Sequence, residues 1–321
     1  MEVEIEALVS KGVDCVSPEN IGRAKRIDDG RYRYIERVKS SFPNQMRLDG
    51  LKVVIDCANG AGYRAAPEVL WELGAEVVPV GVSPDGRNIN LECGSTSPRI
   101  AAETVVAHGA DVAICLDGDA DRVLVIDEQG CPIDGDHFLG MIGSRWIKED
   151  ILIKNTLVAT VMSNMHLETF LNREGIKLIR TAVGDRYVVE QMRLNGFNLG
   201  GEKSGHVVMT DYSTTGDGLM AGLQFLAEMV RRGEPASVVG RPFDLAPQKT
   251  ENIIYASEKN PLDNPSVKKM ISESEKKISG LGRLLVRKSG TERLIRIMVE
   301  AEDISIIDAT ISSISNAIKE L

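Results

Sequence analysis

Three carboxylates at alternate positions, Asp117, Asp119 and Asp121, stand in the run Asp117-Gly118-Asp119-Ala120-Asp121-Arg122. Oxygens converging from one tight turn suit a hard cation such as Mg2+, and Gly118 and Ala120 leave room for the close approach. Apolar runs at 112–116 and 123–126 pin the turn to the end of a sheet, where ligand sites of α/β proteins form. A solvated acidic turn is the plainer alternative. An EF-hand loop is excluded, because it wants glycine where Arg122 stands and helices where this sequence has strands, although Glu128 falls at its last ligand position.

Two further stretches carry the chemistry of sugar and phosphate binding. In Gly201-Glu202-Lys203-Ser204-Gly205-His206, Glu202 and Ser204 lie two apart. On an extended segment they share a face, and a carboxylate beside a hydroxyl can grip neighbouring sugar hydroxyls. His206 is ambiguous, and a structural histidine is the default reading when no partner is identified. In Arg287-Lys288-Ser289-Gly290-Thr291-Glu292-Arg293, with Arg296 beyond, a Ser-Gly-Thr turn offers backbone N–H groups and two hydroxyls. Arg287 and Arg296 can fork onto phosphate oxygens, and a basic turn in solvent is the bland alternative. A fourth stretch, residues 181–187, sits at a strand-to-helix junction where Asp185 could cap and Arg186 could reach an anion.

Alternating strand and helix patterns must position these turns. From Leu51 onward, strands at 51–57, 76–80 and 111–116 alternate with helices at 64–73 and 99–108. A second unit repeats the scheme with strands at 156–161, 177–180 and 197–199 and helices at 137–146, 166–173, 185–194 and 216–230. The pattern breaks near Pro242 and Pro247, and a smaller unit follows with strands at 252–255, 283–287 and 294–301 and helices at 265–278 and from Asp303. The expected fold is therefore α/β: two successive three-layer α/β domains, residues 35–135 and 136–245, and a smaller C-terminal α+β domain, residues 246–321. Residues 1–34 lack a core of their own and read as the tail of something upstream, with a linker.

Composition narrows the partners. A net charge of −9 argues against nucleic acid, which needs a broad basic face. An anionic substrate must then meet a locally built positive site, such as residues 287–296. No apolar run approaches the length of a membrane span. The start Met1-Glu2-Val3-Glu4-Ile5-Glu6 is acidic and unlike a secretory signal, so a cytoplasmic location is expected. Five widely spaced cysteines without a C-x-x-C pair suggest reduced thiols rather than disulfides or zinc.

Taken in order, the runs DGDADR, GEKSGH and RKSGTE followed by LIR resemble the metal, sugar and phosphate loops of the α-D-phosphohexomutase superfamily. The stretches VMSNMHLE, AVGDRYVVE and TTGDGL, and the glycine of SGT, are similar to the phosphoglucosamine mutase branch. The resemblance implies a four-domain isomerase around a cleft that interconverts glucosamine 6-phosphate and glucosamine 1-phosphate, for amino-sugar nucleotide and cell-wall precursor synthesis. A phosphoserine donates phosphate and a bisphosphorylated sugar turns over in the cleft. By that resemblance Asp117, Asp119 and Asp121 hold Mg2+. Glu202 and Ser204 take the sugar hydroxyls, and Arg287, Ser289, Gly290, Thr291 and Arg296 anchor the idle phosphate. Arg122 and His206 assist near the phosphoryl group. A phosphomannomutase or phosphoglucomutase, or a non-catalytic sugar-phosphate-binding fragment, is the alternative reading. An aspartate-nucleophile phosphatase of the haloacid dehalogenase type, with Asp117 attacking and Asp119 as acid, fits less well, because Ala-Asp-Arg follows where a threonine is usual.

Two departures stand out. Arg293 replaces a proline common in the phosphate loop. The family's nucleophile lies in a Ser-His-Asn-Pro stretch of its first domain, and no Ser-His dipeptide occurs in the 321 residues. The expectation is that a first domain of roughly 110–130 residues is missing, leaving the chain by itself inactive. The expected partners are a hexosamine phosphate, that N-terminal domain and a second copy in a homodimer, with neither nucleic acid nor membrane.

Overall fold

The protein is represented by a computed structural model that describes residues 2–12, 14–255, 260–289 and 293–319. Its strands are β1 Lys52–Asp56, β2 Glu76–Val80, β3 Val112–Leu116, β4 Val123–Asp127, β5 Pro132–Ile133, β6 Thr156–Thr160, β7 Lys177–Thr181, β8 Leu199–Gly201, β9 Val207–Met209, β10 Gln248–Ile254, β11 Gly282–Lys288 and β12 Leu294–Ala301. Its helices are α1 Glu2–Lys11, α2 Gly30–Lys39, α3 Ala65–Glu72, α4 Arg99–His108, α5 Gly135–Lys148, α6 Met165–Arg173, α7 Asp185–Asn195, α8 Gly218–Arg232, α9 Ala236–Val239, α10 Pro265–Ile278 and α11 Ile304–Lys319. None among the described residues is long and apolar enough to cross a membrane.

Two sheets repeat one topology. The first runs β2-β1-β3-β4-β5 and the second β7-β6-β8-β9. In each, a central strand pairs in parallel with both neighbours, and the third strand turns back antiparallel into the fourth. The architectural repeat expected from the sequence is present. Strands β3 and β6 are buried along their whole length, as strands covered on both faces must be, and their apolar runs follow from that.

The two sheets share a core. Helix α8, which follows β9 in the chain, lies against β3 and β4 of the first sheet, and the Gly222 Cα faces Ile114. One apolar cluster therefore runs from Ile35 and Val38 of α2 through Phe138, Trp146 and Phe225 to Leu199 of β8. Helix α2 straddles the boundary expected at residue 35, and its Tyr34 hydroxyl donates to the Asp217 carboxylate at 3.0 Å. Residues 4–12 and 14–30 are exposed, including Ile5, Leu8 and Val9 of α1.

The third sheet, β10-β12-β11, is antiparallel and packs α10 and α11 over a separate core of Ile295, Ile297, Val299, Ile311 and Ile314. Its joint with the second sheet is polar. Arg283 of β11 donates to the carbonyls of Ser163 and Val161 at 2.7 and 2.6 Å, and Arg180 of β7 donates to Ser163 as well. Asn164 caps α6 and exchanges hydrogen bonds with Ala246, while His166 reaches the Asp244 carbonyl and the Glu302 carboxylate. Lys203 spans the joint, 3.3 Å from Asp134 and donating to Gln248 at 3.2 Å.

Two tests address packing and the joint. Alanine in place of Gly222 would gain roughly 1 kcal/mol from helix propensity, but its Cβ would fall 2.8 Å from Ile114 Cγ2, and overpacking costs about 1–3 kcal/mol. Gly222→Ala is therefore expected to lower the urea midpoint. A raised midpoint would show that α8 does not bear on β3. Burial pushes the carboxyls of Asp136 and Glu300 above their ordinary values of 3.8 and 4.5. The folded chain then holds these protons more tightly than the unfolded chain. The contribution is complete below the ordinary values and is lost as pH rises through the raised ones. In Asp136→Asn, stability measured from about pH 4 to 7 should fall less steeply with pH than in the parent. An identical slope would remove Asp136 from the account.

Candidate cation and sugar-phosphate site

The acidic turn leaves the end of β3 and is held by main-chain bonds from three directions. Ala61 N–H donates to the Gly118 carbonyl at 2.8 Å, Gly218 N–H to Ala120 at 2.9 Å, and Ser95 N–H to Leu116 at 2.9 Å. Behind them, the wholly buried Asp56 accepts from Ala58 and Gly94 N–H groups and fixes the loops after β1 and before α4. Ala120 takes a left-handed φ of 63°, which turns the chain back between the second and third carboxylates.

The three aspartates each offer one oxygen, all within 4.8 Å of one another. Asp117 is fully buried, Asp121 half-buried and Asp119 exposed. Asp121 Oδ1 is buried without a hydrogen-bond partner. Burial first, and the neighbouring Asp117 second, raise the Asp121 carboxyl above its usual range. Arg122 partly compensates, with its Nε donating to Asp117 Oδ2 at 2.6 Å and standing 3.5 Å from Asp121. An all-oxygen donor set, an orphaned acceptor and crowded negative charge fit a hard divalent cation. Asp117 is wholly buried, and its two oxygens accept from the Arg122 main-chain N–H and Nε.

The sugar-loop candidates adjoin this turn. Val123 N–H donates to the Gly205 carbonyl, and Arg122 and His206 form an antiparallel bridge, so β4 of one sheet meets the β8–β9 hairpin of the other. His206 is buried, and its Nδ1 lies 3.1 Å from Asp121 Oδ2. Its Nε2 is 4.0 Å from Asp185, the first residue of α7. Gly216 makes room for that ring, since a Cβ there would fall 2.5 Å from it.

The segment from Glu202 to Ser204 is not extended, as the sequence suggested. Gly205, at φ +89°, closes a hairpin turn through its N–H to the Glu202 carbonyl. Glu202 Oε1 accepts from Gly184 N–H at 3.1 Å, and Ser204 is exposed at the tip. Gly184 rather than Asp185 occupies the N-cap of α7, and Arg186 is exposed. Glu202, His206 and residues 184–185 are thus gathered against Asp121.

The phosphate-loop candidates lie on the third sheet. Arg287 and Arg296 face each other across β11 and β12. Arg296 donates to Asn252 at 3.0 Å, whereas Arg287 Nε is buried without a partner. Burial, and then the charge of Arg296, press the Arg287 guanidinium below its usual value. Like charges directly opposite are unfavourable, and an anion between them relieves the repulsion. Ser289 N–H donates to the Leu294 carbonyl, while Gly290 and Thr291 lie outside the described residues.

Sequence reasoning missed the supports: Asp56, the left-handed Ala58 and Asn59, Asn90 against Gly118, and Gly216 beneath His206. Only the TTGDGL stretch signalled its place, because Asp217 caps α8, accepting from Met220 N–H, and puts Gly216 at the turn before it.

Two repeated α/β sheets, a third antiparallel sheet and an acidic turn set against the β8–β9 hairpin define a phosphohexomutase arrangement. Residues 32–130 match phosphoglucomutase/phosphomannomutase alpha/beta/alpha domain II, residues 134–242 domain III, and residues 251–316 the C-terminal domain. The chain belongs to this family. It is 62% identical over 319 residues to a phosphoglucosamine mutase of Roseobacter denitrificans, covering 99% of this chain and 71% of the relative. A phosphoglucosamine mutase of a Ruegeria species is matched to the same extent. A family member from Burkholderia thailandensis superimposes with a TM-score of 0.73 at 21% identity, over 90% of this chain and 64% of its own. Aspergillus fumigatus N-acetylphosphoglucosamine mutase, solved with GlcNAc-6P and magnesium, gives 0.70 at 19%, over 91% and 66%. The chain thus spans about two thirds of these solved chains.

Asp121→Asn should weaken Mn2+ binding, followed by electron paramagnetic resonance, by about tenfold or more, since ligand charge sets the affinity of such sites. Unchanged affinity would place the cation elsewhere.

Proposed function

We propose that the chain forms the cation, sugar and phosphate sites of a phosphoglucosamine mutase, a phosphotransferring isomerase acting on glucosamine 6-phosphate and glucosamine 1-phosphate. The observation that carries this reading is the His206–Asp121 contact, which brings the sugar hairpin to the acidic turn. Asp117, Asp119 and Asp121 would hold Mg2+, which when bound supplies positive charge beside the transferring phosphoryl group.

The other side chains bind and orient. Glu202, fixed through Oε1 by Gly184, keeps Oε2 for a sugar hydroxyl, and Ser204 offers its hydroxyl from the tip of the turn. Arg287 and Arg296, with Ser289, Gly290 and Thr291, would anchor the phosphate that does not react, so that binding energy far from the reacting centre positions it. Arg122 would move part of its positive charge from the carboxylates to a phosphoryl oxygen. His206 holds Asp121 in place through Nδ1.

The 321 residues contain no Ser-His dipeptide, so the phosphoserine that relays phosphate in this reaction would come from another segment or polypeptide. The phosphoglucosamine mutase relatives support an enzyme.

Incubation of the purified chain with glucosamine 6-phosphate, Mg2+ and a hexose bisphosphate is expected to give no isomerisation, while calorimetry detects binding of glucosamine 6-phosphate. Turnover should appear when a polypeptide carrying the Ser-His-Asn-Pro domain of a relative is added. Robust turnover by the chain alone would overturn the need for a second segment. Absence of sugar-phosphate binding would overturn the substrate assignment.

A further inference from the structure

Above the acidic turn lies the loop between β2 and α4, outside every stretch so far assigned to metal, sugar or phosphate. It is tightly built. Asp85 accepts from the N–H groups of Arg87 and Asn88, Asn88 donates to the Ser83 carbonyl, and Asn59 accepts from Ser83 N–H. These bonds deliver Asn90, whose N–H donates to the Ala58 carbonyl at 2.9 Å, to the surface of Gly118. Asn90 Nδ2 stands 2.9 Å from the point that a Cβ on Gly118 would occupy. Asn90 itself has a left-handed φ of 55°, and so do its supports Ala58 and Asn59, at 54° and 50°. Three non-glycine residues in that region beside one turn make a costly local geometry that the surrounding bonds must impose.

The cost leaves one group unused. Asn90 Oδ1 is buried and accepts no hydrogen bond. A buried carbonyl oxygen without a donor is unfavourable by about 1–3 kcal/mol, so a donor absent from the polypeptide is called for. Three aspartate oxygens fill only part of the octahedral shell of a cation such as Mg2+, which retains waters, and a cation-bound water is a strengthened O–H donor.

We propose that Asn90 is a positioning residue of the cation centre: its side-chain oxygen accepts a hydrogen bond from a water on the cation held by Asp117, Asp119 and Asp121. The inference rests on the cation reading of those three aspartates. It gives the β2–α4 loop a role in metal affinity and explains why residue 118 has no side chain, since one would displace the Asn90 amide.

Mn2+ serves as the probe, titrated into the full chain and followed by electron paramagnetic resonance, with thermal unfolding measured beside it. Asn90→Gly keeps the left-handed backbone and removes the acceptor. Its Mn2+ dissociation constant should rise about tenfold, the usual effect of losing an outer-shell partner, with the unfolding temperature unchanged. Asn90→Asp keeps an acceptor of the same shape and should bind Mn2+ at least as tightly as the parent. Parent-like affinity in Asn90→Gly, or an equal loss in Asn90→Asp, would overturn the proposal while leaving the aspartate site intact. No Mn2+ binding by the parent would overturn the cation reading and this inference together.

Discussion

The pairing of Arg122 with His206 is the constraint on which the rest of the site depends. Each residue ends a strand connection in a different sheet, and the bridge between them is short, backed by the single bond from Val123 N–H to the Gly205 carbonyl. So small a contact could not align two independent domains. It does so here because α8 already buries its apolar face across β3 and β4, and one continuous core leaves the sheets little freedom to shift. The hydrophobic effect supplies the attachment and the bridge supplies the register.

The third sheet is joined differently. Its core is separate, and its contact with the second sheet is made by arginines on carbonyls and by the Lys203, Asp136 and Glu300 charges. Buried charge pairs offset their own desolvation poorly but fix geometry, because displacing either partner strands the other. Lys203 lies between Glu202 and Ser204, so the hairpin that carries them is fastened from behind to the same joint.

Much of this was legible in the residues. Strand and helix periods gave the two α/β units and the smaller third one, and the three aspartates, the Glu202–Ser204 hairpin and the paired arginines each lie in one contiguous run. What stayed hidden is what arises between distant segments. The Glu202 turn reads as extended until Gly205 closes it. Helix α2 escaped notice, although Tyr34, Ile35 and Val38 have helical spacing, because its basic residues mask that face. Nothing local announces that α8 packs on the earlier sheet, or that Asn90 reaches Gly118. Such facts belong to topology, and a single chain read in order does not display them.

The scaffolding of the acidic turn consists of carbonyls of Leu116, Gly118 and Ala120 accepting from N–H groups of three other segments. Two of the residues making these bonds must be glycine, since a Cβ on Gly118 would meet the Asn90 amide and one on Gly218 the Arg122 carbonyl. The turn therefore keeps its shape through main-chain bonds and glycine contacts, while a side chain such as Ser204, exposed at the hairpin tip, takes no part in that scaffold. A frame of this kind separates change at exposed rim positions from the preservation of the acidic turn.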